Sequence, residues 1–184
     1  MLHDYISMNP QFSNSWHRLA VWASAFLGAI ALASCSTVTA QQYEATAKTI
    51  YTWQVKYSLD PGSSKSPRFE TFASTSLLNR NGLKPAEAVT GPDDRGLWWP
   101  TALPPRPTVD QVEQRQRPQE QVTTPELVKS VEYKLSYQVG DRTATLPTNY
   151  QVYRQVVKAY PLQTPLRLTL GVNDDSVEKA EPVN

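Results

Sequence analysis

Apolar and polar residues alternate with a period of two along several stretches of this 184-residue chain. In the first, Tyr51, Trp53, Val55, Tyr57 and Leu59 alternate with Thr52, Gln54, Lys56 and Ser58, which predicts a strand over 49–59 with one buried face. Residues 43–48 either prolong that strand or form a helical turn pairing Glu44 with Lys48. Asp60-Pro61-Gly62 and the serines around Lys65 supply turn chemistry after it. A second alternation places Val131, Tyr133, Leu135, Tyr137 and Val139 on one side, and Gly140-Asp141 can turn the chain so that Arg142 to Leu146 returns as a hairpin partner. Leu166, Leu168 and Leu170 mark a last strand before Gly171.

Helical spacing occurs in three places. Tyr150, Tyr153, Val156, Val157 and Tyr160 share one helical face, with Thr148 or Asn149 as N-cap and Pro161 as the stop; the β-branched content keeps a strand open as the alternative. Phe69, Phe72, Ala73, Ser76 and Leu77 predict a short helix over 68–78. Thr108 and Gln111 have capping-box spacing, with Asp110 near the positive end and Arg115 and Arg117 near the negative end, so a short solvated helix is expected over 108–117. Otherwise the prolines at 85, 92, 100, 104, 105, 107, 118 and 125 argue against regular structure through 85–125.

Neither half of the chain carries enough apolar surface for its own core, so the strands of 49–59 and 131–170 are expected to share one sheet. The fold class is α+β: a small antiparallel sheet with one or two helices on a face and a long Pro-rich irregular segment, forming a single domain over 43–172. The likeness of 53–60 to 133–141 reflects strand composition rather than a repeat. Residues 36–42 are short and polar, suited to a tether. The tail 173–184, with four acidic residues against one lysine, reads as unstructured.

The N-terminus has a different character from the rest of the chain. Residues 19–33 are a fifteen-residue apolar run preceded by Arg18. As a helix the run would cover about 22 Å, short of the roughly 30 Å needed to span a bilayer core, so a signal peptide is favoured over a permanent anchor. It ends in Leu32-Ala33-Ser34-Cys35, and this segment resembles the lipobox of bacterial lipoproteins. The resemblance implies removal of residues 1–34, lipid on the Cys35 sulfur and often acylation of the new amino terminus. Two or three acyl chains hold a protein on a membrane stably. Ser36 after the cysteine then favours the outer over the inner membrane. The leader is long and carries Asp4, and initiation at Met8 rather than Met1 would give a more ordinary one. Ordinary secretion is the competing expectation, because Val38-Thr39-Ala40 before Gln41 is an acceptable cleavage site that would release a soluble protein.

Cleavage before Cys35 removes His3, His17, Met1 and Met8 and leaves Cys35 as the lone, acylated cysteine. No metal, haem or iron–sulfur cofactor is expected, nor a histidine-based triad or dyad, and no disulfide can form within the chain. Lys and Arg nearly balance Asp and Glu and are scattered, so no nucleic-acid footprint is expected.

The segment from Gly96 through Trp98, Trp99 and Pro104-Pro105-Arg106-Pro107 is the sharpest functional candidate. It offers a polyproline string for an envelope protein partner, or paired tryptophans for a sugar or lipid. Equally, the tryptophans can fold back to plug the sheet while the prolines stiffen a loop. Glu70, Asp93 and Asp94 are the carboxylates available for glycosidase-type chemistry. Asp93-Asp94 follows Gly91-Pro92, which is turn chemistry, and Leu97-Trp98 stands where a phosphate loop requires Lys-Ser/Thr. The expectation is a membrane-tethered envelope lipoprotein that binds or scaffolds. The alternatives are a module or carboxylate enzyme acting on envelope glycan, and a binder of a small apolar ligand among the tyrosines.

Overall fold

The structure, a computed structural model, describes residues 36–59, 66–87 and 89–183. The apolar run, Cys35 and the Asp60-Pro61-Gly62 turn lie outside the described residues. In chain order the elements are β1 (Thr37–Ala40), β2 (Tyr43–Ser58), β3 (Arg68–Arg80), β4 (Val89–Thr90), β5 (Trp99–Pro100), α1 (Val109–Gln114), β6 (Gln121–Val122), β7 (Glu126–Val139), β8 (Arg142–Thr148), α2 (Tyr150–Ala159), β9 (Leu166–Leu170) and β10 (Val177–Pro182). Eight strands form one sheet in the order β1-β9-β10-β8-β7-β2-β3, with β6 beside the end of β2. All pairings are antiparallel except the short one between β10 and β8. The fold is α+β, with two short α-helices against this sheet.

The alternation in β2 begins earlier than the pattern suggested. Tyr43, Ala45, Ala47, Thr49 and Tyr51 all bury the same face, so 43–48 is strand, and Val55 and Tyr57 continue that face. Against its first half lies α2, which is a helix as its apolar spacing indicated. Asn149 caps it, accepting from the Val152 N–H, and Val152, Tyr153, Val156 and Ala159 form one core with Ala45, Ala47, Leu135 and Tyr137. Small alanines on β2 leave room for the helix. Gly82 is held as close from the side: its φ is +71°, and a Cβ there would lie 2.6 Å from Val157 Cγ1. Over the far end of β2, α1 closes a second cluster of Val55, Tyr57 and Val112, in which the Tyr57 hydroxyl donates to the Val112 carbonyl at 2.8 Å. The capping box of Thr108 and Gln111 is present.

Three expectations are corrected. Residues 68–78 are not a helix but most of β3. Opposite Trp53 the strand carries two residues, Phe72 and Ala73, because Thr52 pairs with Ser74 while Gln54 pairs with Thr71. This bulge breaks the period of two, so that inward positions run 68, 70, 72 and then 75, 77, 79, and the three-residue step mimics helical spacing. The 36–42 stretch is not a free tether, since Thr37–Ala40 is β1, paired with β9 and burying Ala40 completely. The acidic tail is not unstructured either: β10 pairs with β9 and buries Val177 and Ala180. Their three-residue spacing again spans a register shift, which hid the strand.

Candidate functional site

The Trp98–Pro107 segment crosses the covered face of the sheet between α2 and α1, and its two tryptophans are held in different ways. Trp98 is fixed by its main chain. Its N–H donates to Asn79 Oδ1 at 2.8 Å, and its carbonyl accepts from Asn79 Nδ2 at 3.0 Å and from the Thr49 hydroxyl at 2.8 Å. Asn79 and Thr49 are fully buried on adjacent strands, so these bonds satisfy groups with no access to water. The Trp98 ring is left half-buried, with Lys84 Nζ 5.4 Å from its centre.

Trp99 is held by its side chain. Its ring is buried 5.1 Å from that of Tyr51, Lys129 Nζ lies 5.1 Å from its centre, and its indole N–H donates to Asp93 Oδ2 at 2.8 Å. The other Asp93 oxygen accepts from the main chain of Arg95 at 3.0 Å and of Leu97 at 2.9 Å. Partial burial acts to raise the Asp93 pKa, but the bonds from Leu97, Trp99 and Arg95 outweigh it and hold the carboxyl below the usual range. Gly91 opens this turn at φ +120°, where a Cβ would lie 2.9 Å from the Leu97 carbonyl.

Further along, Pro104 and Pro107 are buried while Leu103, Pro105 and Arg106 are exposed, a three-residue repeat of the kind a polyproline strand presents. The aromatic partner is internal: Trp53 Nε1 donates to the Pro104 carbonyl at 2.9 Å, and the Arg106 guanidinium lies 5.5 Å from the Trp53 ring. Two surface grooves of about 400 Å³ and 410 Å³ flank α1, and both include Arg106, Pro107 and Thr108.

The carboxylates of the enzyme alternative sit in separate settings. Glu70 is ion-paired to Arg68 and Arg115, and Arg68 reaches Glu120 at 2.7 Å while its guanidinium lies 4.4 Å from the Tyr57 ring. The Arg68 hydrogen bond lowers the Glu120 pKa. Asp93 is committed to its turn, and Asp94 is exposed in that turn. Of the residues singled out from sequence, the structure therefore packs Trp99, Pro104 and Pro107 inward and leaves Pro105 and Arg106 exposed and Trp98 partly so.

Sequence reasoning missed Asn79, Thr49, Trp53 and Lys129. Asn79 stands in Asn79-Arg80-Asn81-Gly82, which reads as a turn because asparagine and glycine favour turns. Its burial depends on a strand that the bulge had disguised. Compared with family models, curated proteins and solved structures, the chain finds no match in any of the three.

Proposed function

We propose that this protein is a lipid-anchored module of the bacterial envelope, attached through Cys35, that acts by binding or scaffolding. One observation carries the choice between the two candidate processing sites. Cleavage after Ala40 would remove the whole of β1, expose the edge of β9 and strip Ala40 from the core. Processing before Cys35 leaves every described element intact, since β1 starts at Thr37. Among the described residues no helix is long and apolar enough to cross a membrane.

For binding, the half-buried Trp98 ring with Lys84 beside it and the exposed Pro105-Arg106 pair are the available contacts. Trp99 and the inward prolines serve the fold. A Cys35→Ala variant tests the anchor: the parent protein is expected in the membrane fraction, extractable by detergent. If the variant stays there to the same extent, lipid on Cys35 does not hold it.

A further inference from the structure

We propose that the groove between α1 and the β3 bulge binds a carboxylate of an acidic peptide, with Arg106 as the anchoring charge. The inference rests on the reading of the exposed Pro105-Arg106 pair as a binding contact, and it names what that contact takes. The groove has a volume of about 410 Å³. Small-ligand sites run from roughly 300 to 1,000 Å³. Phe72 and Ala73 stand together at the bulge opposite Trp53, and both line the groove. A guanidinium lies over an aromatic ring on each strand: Arg115 is 4.1 Å from the Phe72 ring centre and Arg106 is 5.5 Å from that of Trp53. Stacking on a ring face holds a guanidinium in place and leaves its N–H edge for a planar acceptor such as a carboxylate.

The two charges differ in what they have left to give. Arg115 donates to the Thr71 carbonyl at 2.8 Å and faces Glu70 at 3.5 Å, so its charge is matched within the fold. Among the described residues Arg106 has no carboxylate within ion-pair distance. The neighbouring groove on the other side of α1 includes Glu113, whereas no Asp or Glu lines this one. The capping box sets the polarity of the remaining wall. Gln111 Oε1 accepts from the Thr108 N–H at 3.0 Å, and the Thr108 hydroxyl oxygen accepts from the Gln111 N–H at 3.3 Å. With those acceptors engaged, Gln111 Nε2 and the Thr108 hydroxyl proton are left to donate. A wall of donors suits a carboxylate, which only accepts. It suits a sugar less well, because each sugar hydroxyl also donates and needs an acceptor. Phe72, Pro105 and Pro107 supply apolar surface for the atoms that carry the carboxylate.

The test is an NMR titration of the isotope-labelled full-length protein at low salt, followed at the Trp53 indole N–H and the Thr108 main-chain N–H. It needs no lipid on Cys35. The probes are the peptide acetyl-Ala-Glu-Leu-Glu-Ala-amide, its counterpart with glutamine in place of both glutamates, and glucuronate. Saturable shifts with the glutamate peptide and none with the glutamine peptide are the expected result, and added salt should weaken the binding. Arg106→Gln should weaken it about fivefold or more and keep the parental thermal midpoint, because the side chain is exposed. Equal shifts with the two peptides, or parental affinity in Arg106→Gln, overturn the assignment of a carboxylate to Arg106. Shifts with glucuronate and with neither peptide overturn the peptide and leave Pro105-Arg106 standing as a binding contact. No shift with any of the three probes overturns the proposal and that contact together.

Discussion

The Asn79 side chain meets the Trp98 main chain twice, accepting from its N–H at 2.8 Å and donating to its carbonyl at 3.0 Å. A primary amide thus stands in for the next strand of a ladder, pinning a Pro-rich segment to a sheet it does not join. Asn79 also donates to the Ala47 carbonyl at 3.1 Å, so the clamp ties three segments together.

Removing it should be costly because its partners stay buried. Each buried polar group left unpaired costs about 1–3 kcal/mol, and Asn79→Ala frees at least the Trp98 N–H. The expected loss is about 2–4 kcal/mol in urea denaturation. Asn79→Asp keeps the acceptor but loses the donor and buries a charge, so it should be no better than alanine. A loss within experimental error for both would contradict the clamp.

Trp98 and Trp99 should separate cleanly on mutation. Trp99→Ala empties a buried aromatic site and is expected to cost about 3–5 kcal/mol. Trp98→Ala leaves the main-chain clamp in place and removes a half-buried ring, so its cost should be clearly smaller. Equal midpoints for the two variants would show that the Trp98 ring is structural and not free for a partner.

Asp93 should make the turn pH-dependent. Its folded pKa lies below that of the unfolded chain, so its contribution is fully present above the unfolded value of about 3.9 and is lost as pH falls through the lower folded value. Glu120 is lowered as well and acts in the same direction. The difference in thermal midpoint between the parent and Asp93→Ala should be constant from neutral pH down to about pH 5 and shrink in stronger acid. A difference that grows as the pH falls would be the wrong sign.

Among the described residues the Tyr153 hydroxyl is buried without a hydrogen-bond partner, and burial pushes its pKa up to about 12. The Gly82 main chain lies near it without reaching hydrogen-bond geometry. Tyr153→Phe removes that unpaired group and keeps the ring packing against Tyr133 at 5.4 Å. Stability should be unchanged or rise by up to about 1 kcal/mol. A loss beyond that size would reveal a partner for the hydroxyl.

What was legible in the sequence was what strict periodicity writes. The hairpin of 131–146, the strand at 166–170, the α2 face from Tyr150 to Tyr160 and the Thr108–Gln111 capping box each follow one uninterrupted rule. Register shifts erased the rest. The bulge at Phe72–Ala73 turned β3 into an apparent helix, and the shift after Val177 made β10 look like a charged tail. For the site, the tryptophans and prolines were visible as unusual residues, but their depth was not. Trp99 and Trp98 differ only in which of them meets Tyr51 and Asp93, a matter of tertiary contact.

β1 begins two residues after Cys35, so the proposed lipid anchor and the fold are nearly contiguous in the chain. The most direct test is the mass and N-terminal residue of the mature protein isolated from the bacterial envelope. An acylated chain beginning at Cys35, with β1 intact, is the expected result. An unmodified chain beginning at Gln41 would contradict the anchor and show that the sheet stands without β1.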